Sequence, residues 1–289
     1  MSGPPPAPRG DKIDIGGRFL RLVRAGPASA RPTVLLEAGS FGYAVDWSVV
    51  QALLAERGVR SLAYDRAGLG HSDPGPLPRD GAAILADLLA LLAAAGETGP
   101  FLYVGHSMAG LHAHLFAAAE RARLVGLVLV DAITPASAES ATARRVAAQY
   151  VRLSRAVAWA AERGLMRPLS ILGDTIGLEA SDAADKRRAF ADPAHNRSAA
   201  DEVVAWDATV SQARAAGPLD PDWPVAVVTA GPARVGDGQR ALMAAPAKAS
   251  RAGFWANVAA ANHASLLGRR HARAIVEAIE QVREAANRT

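Results

Sequence analysis

The sequence predicts an α/β protein with a mostly parallel sheet that is interrupted by a helical insertion. Short apolar runs, such as residues 33–36 between Pro32 and Gly39, are typical of strands buried on both faces. These runs alternate with segments of helical spacing, which indicates βαβ units. Residues 136–217 show helical periodicity and no convincing strand. We therefore expect a central sheet flanked by helices, with an inserted helical cap.

The first part of the chain supplies most of the predicted sheet. Gly16 and Gly17 form a turn between two short strands, and Gly58 and Gly96 end two helices. The predicted strands cover residues 13–15, 19–23, 33–36, 61–64, 101–104 and 124–130, and the predicted helices cover residues 46–56, 84–95 and 111–121. This order predicts two short strands joined by a glycine turn, followed by βαβ units around a mostly parallel sheet.

After the insertion the alternation resumes. It predicts strands at residues 224–229 and 254–259 and helices at residues 239–245 and 270–286. We expect a core formed by residues 11–133 and 218–289 and a cap or lid formed by residues 134–217, because long insertions usually lie at one end of a sheet. The proline-rich residues 1–10 are expected to be a disordered tail and lack the features of a secretory signal.

The composition argues against several classes of partner. The formal net charge is +4 and the sequence pI is about 9.8, but no run of five basic residues occurs and only 5% of residues are aromatic. A nucleic-acid partner is therefore not expected. The absence of cysteine rules out disulfides and fits a cytoplasmic protein. Residues 82–95 are too short, and interrupted by Asp87, to span a bilayer, so no membrane partner is expected either.

Ser107 is the strongest candidate for a catalytic residue. It lies in Gly-His-Ser-Met-Ala-Gly at residues 105–110, directly after a predicted buried strand and before a predicted helix. A sharp strand-to-helix turn of this kind exposes the serine oxygen above the sheet, and small flanking residues are needed because side chains there would collide with the adjoining elements. Ala109 stands where a second glycine is usual and is small enough. The motif predicts a nucleophilic serine.

Together with other motifs, this one makes the chain resemble the α/β-hydrolases over nearly its whole length, from about residue 13 to the last helix. The other matching segments are Leu-Glu-Ala-Gly-Ser-Phe-Gly at residues 36–42, Asp-Trp at 46–47, Tyr-Asp-Arg-Ala-Gly-Leu-Gly-His-Ser-Asp at 64–73, Leu-Val-Leu-Val-Asp at 127–131 and Ala-Asn-His at 261–263. The resemblance implies the α/β-hydrolase fold of the serine-esterase type. The serine at position 107 argues against the dehalogenases and epoxide hydrolases of the same fold, because members of those groups use aspartate there.

His263 is the expected general base. It follows the last predicted strand, which agrees with the family order of serine, acid and histidine. A serine hydroxyl is a weak nucleophile until an imidazole accepts its proton. Among the other six histidines, His106 adjoins the nucleophile but is expected to line the turn, and His112 and His114 lie on the following helix and are expected to pack or face solvent.

The sequence leaves two candidates for the acid that orients this histidine. In many family members the acid follows the strand predicted here at residues 224–229, but the expected position near Arg234 carries no carboxylate and Asp237 comes a few residues late. The other family location is the end of the strand after the nucleophile's helix, where Asp131 stands. We favour Asp131 and keep Asp237 as the alternative.

The oxyanion hole is expected to use two backbone N–H groups. One belongs to Met108, the residue after the nucleophile. By the resemblance, the other comes from the loop after the strand at residues 33–36, where this chain has Ala-Gly-Ser instead of the family's usual His-Gly motif. The Ser40 amide is the predicted donor, with Phe41 next. Phe41, Trp159 and Trp206 are predicted to line an apolar substrate pocket.

No metal or cofactor is expected. No cluster of histidine and acidic residues has the spacing of metal ligands, and the Gly-Leu-Gly turn at residues 68–70 lacks the rest of a dinucleotide fingerprint. Glu37 and Asp65 could form a catalytic carboxylate pair, but we expect both to serve structure, Asp65 by pairing with Arg66 or by capping its turn.

The sequence therefore predicts a serine hydrolase that cleaves carboxylic esters of a small, largely apolar molecule through an acyl-enzyme. Thioesterase, lactonase, amidase, perhydrolase and carbon–carbon hydrolase activities stay open, because they use the same nucleophile. A non-catalytic ligand-binding protein on the same fold is the alternative from another class.

Overall fold

The computed structural model of the protein describes residues 9–28, 30–232 and 238–288. These form one eight-stranded sheet of strand order β1-β2-β4-β3-β5-β6-β7-β8. The strands are β1 Asp11–Asp14, β2 Phe19–Ala25, β3 Thr33–Glu37, β4 Ser61–Tyr64, β5 Phe101–His106, β6 Leu124–Val130, β7 Val225–Ala230 and β8 Phe254–Val258. The β1–β2 and β2–β4 pairs are antiparallel and every other pair is parallel. The predicted mostly parallel α/β sheet is confirmed.

Helices cover both faces of the sheet, which is why β3 to β7 read as continuous apolar runs. The helices are α1 Ser48–Glu56, α2 Gly81–Ala94, α3 Ala109–Ala119, α4 Pro135–Ala138, α5 Ala141–Glu162, α6 Ala180–Ala191, α7 Pro193–Val204, α8 Trp206–Ala215, α9 Gly238–Ala249 and α10 Ala272–Ala286. Successive strand residues point to opposite faces. Val34 and Leu36 therefore pack with α1 and α10, and Leu35 packs with α2 and α3.

The observed element boundaries differ from the predicted ones where a cap or tight turn decides them. The predicted helix at residues 46–56 begins as a single 3₁₀ turn, Ala44–Trp47, and continues as α1. The predicted helix at 84–95 begins earlier, at Gly81, because the Asp80 carboxylate accepts the Ala83 N–H and caps the helix. Apolar periodicity does not show such a start, since the first turn carries only small residues.

The chain between β6 and β7, which we call the cap, contains five α-helices, α4 to α8, and no strand, and the structure describes the backbone of every residue there. The longest, α5, packs on α7, and α8 packs on α3 of the core. Residues 1–8 of the predicted tail lie outside the described residues, and Arg9 contacts Asp182 of α6 at 3.3 Å. Within the described ranges, no helix is long and apolar enough to cross a membrane.

Candidate active site

Ser107 occupies a strained turn between β5 and α3. Its φ of +57° lies in the left-handed region, which is uncommon for any residue other than glycine. The Ser107 N–H donates to the Val130 carbonyl at 3.1 Å, and the Ser107 carbonyl accepts from the Ile133 N–H at 2.9 Å. The neighbouring strand β6 and the loop after it therefore hold the turn from both sides, and they present the serine side chain at the carboxyl end of the sheet.

The small residues around Ser107 are required by close contacts. A Cβ on Gly105 would lie 2.7 Å from the Ala109 carbonyl oxygen, and one on Gly110 would collide with the Ile133 carbonyl oxygen. Ala109 itself is fully buried and fits without displacing its neighbours. The replacement of the family's second glycine by alanine therefore leaves the turn intact.

The structure brings His263 and Asp131 together beside this turn. The His263 Nδ1 atom lies 2.6 Å from Asp131 Oδ2, and Asp131 Oδ1 accepts the Ala230 N–H at 3.1 Å. Burial by itself would raise the pKa of Asp131, but the hydrogen bond and charge of His263, with the Ala230 amide, hold this pKa below its usual range. Asp131 is thus an ionised acceptor for the imidazole N–H. Asp237, the alternative acid, lies outside the described residues.

His106 packs against the expected base. Its ring stacks on the His263 ring with centroids 4.5 Å apart, and its Nε2 lies 3.1 Å from the His263 carbonyl oxygen. Burial, with the nearby His263, lowers the pKa of His106 to about 3, so the ring is neutral at pH 7. A neutral ring can pack against His263 without opposing a positive charge there. The sequence shows only that His106 adjoins the nucleophile and gives no sign of this contact.

The loop after β3 lies directly against Ser107. A Cβ on Gly39 would lie 2.7 Å from the Ser107 Cβ, so the loop can come this close only with glycine at that position. Within the described residues, the backbone N–H groups of Met108 and Ser40 donate to no other group. The Ser40 hydroxyl approaches the Met108 sulfur at 3.5 Å. Two unpaired N–H groups beside Ser107 are what an oxyanion hole would need, and the Phe41 N–H is likewise unpaired among these residues.

A buried ion pair between core and cap holds this loop. The Arg66 guanidinium donates to the Ala38 and Gly39 carbonyls at 2.5 and 2.8 Å. Glu202 of α7 accepts from Arg66 through both carboxylate oxygens, at 2.9 and 2.8 Å. One arginine thus joins the backbone of the loop to the cap.

Asp65 serves structure, but not through its neighbour Arg66. The predicted pairing of these two residues is wrong, because Asp65 points to the other side, where Arg21 lies 3.0 Å away. The alternative, that Asp65 caps its turn, agrees with the structure: its carboxylate accepts the His71 N–H at 2.8 Å and the Ala44 N–H at 2.9 Å. Asp65 therefore connects its own turn to the start of the helical segment before α1.

A second cap residue fixes the next part of the loop. Lys186 of α6 donates to the Phe41 carbonyl at 3.1 Å and lies 2.7 Å from an Asp46 carboxylate oxygen. Burial raises the pKa of Asp46, and the Lys186 charge opposes this shift. Phe41 has a φ of +58°, a conformation that needs support in a residue with a side chain. Sequence reasoning does not find Lys186 or Glu202, since nothing in the local pattern links them to residues about 140 positions earlier.

Glu37 is a buried structural carboxylate, as the sequence predicts. It lies 2.6 Å from His112 Nδ1 and accepts the Tyr103 hydroxyl at 2.5 Å. Burial would raise the pKa of Glu37, but His112, Arg66 and Tyr103 together hold it below its usual range. All four side chains are buried in the core. In the part of the chain that the structure describes, no group of three His, Asp or Glu side chains could hold a metal ion.

A cavity of about 700 Å³ lies between the core and the cap, with Ser107 and His263 in its wall. Phe41 and Trp206 also line this cavity. The prediction for Trp159 is wrong: this side chain is 53% exposed on the outer face of α5, with the Arg163 guanidinium over its ring. The cap contributes mainly apolar side chains to the cavity, which include Val146, Ala147, Tyr150, Leu153, Val157 and Phe190.

Curated proteins match part of this chain. A protein of Variovorax paradoxus (strain S110) named "Putative carbamate hydrolase RutD" is 36% identical over 119 residues, which are 40% of this chain and 43% of that protein. One of Pongo abelii named "Putative protein-lysine deacylase ABHD14B" is 32% identical over 130 residues, 43% of this chain and 62% of that protein. The chain spans between 18% and 62% of the full length of three curated relatives that it matches.

Solved structures match the whole fold. That of a "putative epoxide hydrolase" from Pseudomonas aeruginosa aligns with a TM-score of 0.72 at 20% identity, covering 99% of this chain and 100% of that one. That of a thermophilic esterase from Thermogutta terrifontis aligns with a TM-score of 0.65 at 21% identity, covering 96% and 99%. Identities this low show the fold alone. A family model described as the alpha/beta hydrolase fold matches residues 32–170. The chain therefore has the α/β-hydrolase fold, and residues 32–170 match the family's model.

Proposed function

We propose that this protein is a serine hydrolase that cleaves carboxylic esters of a small, largely apolar molecule through an acyl-enzyme. The observation that carries the proposal is the 2.6 Å contact between His263 Nδ1 and Asp131 Oδ2, beside a serine held in a strained turn. A carboxylate at Nδ1 leaves Nε2 as the nitrogen that can accept a proton from a serine hydroxyl. The same cavity wall contains Ser107 and His263.

Each residue has one role in the proposed reaction. Ser107 Oγ attacks the ester carbonyl carbon while its proton passes to His263 Nε2. The N–H groups of Met108 and Ser40 stabilise the oxyanion. The intermediate collapses to the acyl-enzyme when His263 protonates the departing alkoxide, which leaves as the alcohol. Water then attacks the acyl group with His263 as base, and the carboxylic acid and free serine are formed.

The shape of the cavity supports an apolar substrate. Its cap wall is formed largely by alanine, valine, leucine and aromatic side chains, and Lys186, the cationic side chain in its lining, is already bound to Asp46. A substrate with a free carboxylate would therefore compete with a buried ion pair. An uncharged ester whose acyl or alcohol part fits within about 700 Å³ suits the site better.

The names of two relatives suggest a second class of substrate, in which the bond that is cleaved is a carbamate or an amide. A carbamate hydrolase and a lysine deacylase would act on carbamate or amide bonds, which need protonation of a nitrogen leaving group. The same serine and histidine can perform that step. The ester proposal is therefore tested against p-nitrophenyl esters of increasing acyl length, matched anilides and a p-nitrophenyl carbamate.

The test compares two serine variants. We expect Ser107→Ala to lower kcat for the ester series by about 10⁴-fold or more, with a burst of product in the wild type that the variant lacks. Ser181→Ala, on the exposed surface of α6, is the matched control and should keep wild-type turnover. Full activity in Ser107→Ala would overturn the proposal. A clear preference for anilides or carbamates would leave Ser107 as the nucleophile but would replace the ester as the proposed substrate class.

A further inference from the structure

Most of the large apolar side chains that are exposed to solvent lie on the cap. Among the described residues, eleven large hydrophobic side chains are exposed, and seven of them fall between residues 146 and 172. These seven are Val146, Leu153, Trp159, Leu165, Leu169, Ile171 and Leu172, and Ile171 is 76% exposed. Single exposed apolar residues are ordinary, but a cluster marks a surface that contacts something other than water.

The same segment carries a strong positive charge. Residues 141–172 contain six arginines and one acidic residue, Glu162, which leaves 26 basic and 27 acidic residues in the rest of the chain. All six arginines are exposed, and within the described residues none pairs with a carboxylate. By contrast, three exposed arginines outside this segment, Arg121, Arg251 and Arg269, each pair with an acidic residue. The net positive charge of the protein is therefore concentrated here.

Helix α5 arranges these residues in adjacent stripes. Arg145, Arg152 and Trp159 are spaced by seven residues, so they lie along one line of the helix. Val146 and Leu153 follow Arg145 and Arg152 directly and form the next stripe. The opposite side of α5, which includes Ser154, Ala158 and Ala161, is buried. The outer face of α5 thus combines arginine, tryptophan and aliphatic side chains.

This outer face is continuous with the entrance of the active-site cavity. Val146, Leu153 and Leu172 line the cavity and are also between 58% and 61% exposed, so they form its rim. A molecule that covers the apolar cluster would lie at the opening of the cavity. We call the following set the cap face: Arg145, Val146, Arg152, Leu153, Trp159, Arg163, Leu165, Leu169, Ile171 and Leu172.

We propose that the cap face binds the surface of membranes that contain anionic phospholipids. A basic amphipathic helix with tryptophan and leucine lies in the interfacial plane, its apolar side chains in the acyl boundary and its arginines at the phosphates. Tryptophan favours that interface, and arginine binds phosphate oxygens through a planar fork. The sequence prediction of no membrane partner rested on the lack of a spanning segment, which such peripheral binding does not need. The cavity rim would then open toward the lipid.

The test measures binding of the purified full chain to sonicated vesicles by sedimentation. We expect binding to vesicles of phosphatidylcholine with about 30% phosphatidylglycerol, weakened by high salt, and little binding to phosphatidylcholine alone. The triple variant R145Q/R152Q/R163Q should lower the partition coefficient by at least about tenfold. The matched control R121Q/R251Q/R269Q loses the same charge from paired arginines and should bind like the wild type. An unchanged thermal midpoint in both variants shows that they fold.

Three results would overturn the proposal. One is equal binding to neutral and anionic vesicles, and another is equal loss in both triple variants. The third is a concentration-dependent dimer that Trp159→Ala abolishes while vesicle binding is absent, which would assign the cap face to a second copy of this chain. None of these measurements uses turnover, so the proposal stands or falls independently of the ester hydrolysis proposed above.

Discussion

The two walls of the cavity are built in different ways. On the core wall, Ser107, Asp131 and the loop at residues 38–42 are fixed by hydrogen bonds from the backbone or from buried charges. On the cap wall, α5 offers apolar side chains to the cavity, and its outer arginines have no carboxylate partner among the described residues. A site that must hold atoms within a fraction of an ångström needs buried partners, whereas a wall that admits apolar molecules needs only shape.

Polar side chains from α6 and α7 join the two walls. Glu202, Lys186 and His195 reach from α6 and α7 to the loops of the core, and all three make hydrogen bonds there. Helix α5 packs on α7, where Glu162 pairs with Arg197 at the surface, but no ion pair joins α5 to the core in the part of the chain that is described. The cap therefore has one part that is bound to the loop at residues 38–42 and another that faces outward.

The largest expected effect is on the core wall, at the acid. Asp131→Asn should lower kcat/KM for p-nitrophenyl esters by about 10³–10⁴-fold, because the amide no longer stabilises the imidazolium or fixes its tautomer. Asparagine tolerates the φ of +42° at this position, so the fold should persist. Asp222→Asn, an exposed residue paired with Arg251, is the control. If kcat/KM falls by less than about threefold, Asp131 is not the acid, and Asp237 is the first residue to test in its place.

The second effect is on stability, and it compares a buried ion pair of the cap with an exposed one. Glu202→Gln should lower the free energy of unfolding by about 3 kcal/mol, because Arg66 is left charged and buried with only the Glu37 carboxylate, 3.9 Å away, near it. Glu162→Gln breaks the exposed pair with Arg197 and should cost less than about 1 kcal/mol. Denaturant unfolding of both variants measures the difference. Equal costs would show that the buried pair does not anchor the cap.

The third effect concerns the contact between the loop at residues 38–42 and Ser107. Gly39→Ala should lower kcat by about 10²-fold with KM little changed, because the new methyl group forces the loop away from Ser107. Gly238→Ala introduces the same methyl group where no described atom lies within 4 Å and should be neutral. Wild-type kcat in Gly39→Ala would show that the loop can move without affecting the reaction.

The smallest effect is a pH dependence at the junction of the two walls. Burial lowers the pKa of His195 to about 3, and its Nδ1 accepts the Gly70 N–H, so the folded protein holds this ring neutral. Between about pH 6.5 and 3 the unfolded chain binds the extra proton, so stability falls as the pH falls. From about pH 7 to pH 5 the loss due to His195 should be roughly 2 kcal/mol.

The control for this pH dependence is His195→Gln. Glutamine can still accept the Gly70 N–H but does not titrate, so the variant should lose less stability than the wild type over the same pH range. Unfolding by denaturant at both ends of that range gives the two slopes. Parallel slopes for the two proteins would contradict a neutral buried imidazole at this position.

Much of the fold and the main site could be predicted from the sequence for one physical reason. Strands buried on both faces give short apolar runs, and the carboxyl ends of parallel strands meet at one edge of a sheet. Ser107, Asp131 and His263 each follow such a run closely, so their strands bring them to the same edge. Asp131 is preferred over Asp237 because its place follows directly on β6.

The cap could not be predicted in the same way. The Arg66–Glu202 and Lys186–Asp46 pairs join residues more than 130 positions apart, and no periodicity signals such pairs. From the apolar helical pattern of the insertion, the sequence predicts that Trp159 lines the pocket. The pocket face of α5 instead includes Val157, and a residue two positions further lies about 200° around the helix, on the outer face. Only the tertiary arrangement shows which stripe the core covers.

The most direct test of the account is the site of covalent labelling by an alkyl fluorophosphonate. Such reagents phosphonylate an activated serine and release fluoride, so the adduct adds a fixed mass to one peptide. We predict stoichiometric labelling of the wild-type protein on the peptide that contains Ser107, slower labelling of Asp131→Asn, and none of Ser107→Ala. Labelling on another residue, or undiminished labelling of Ser107→Ala, would contradict the assignment of Ser107 as the nucleophile.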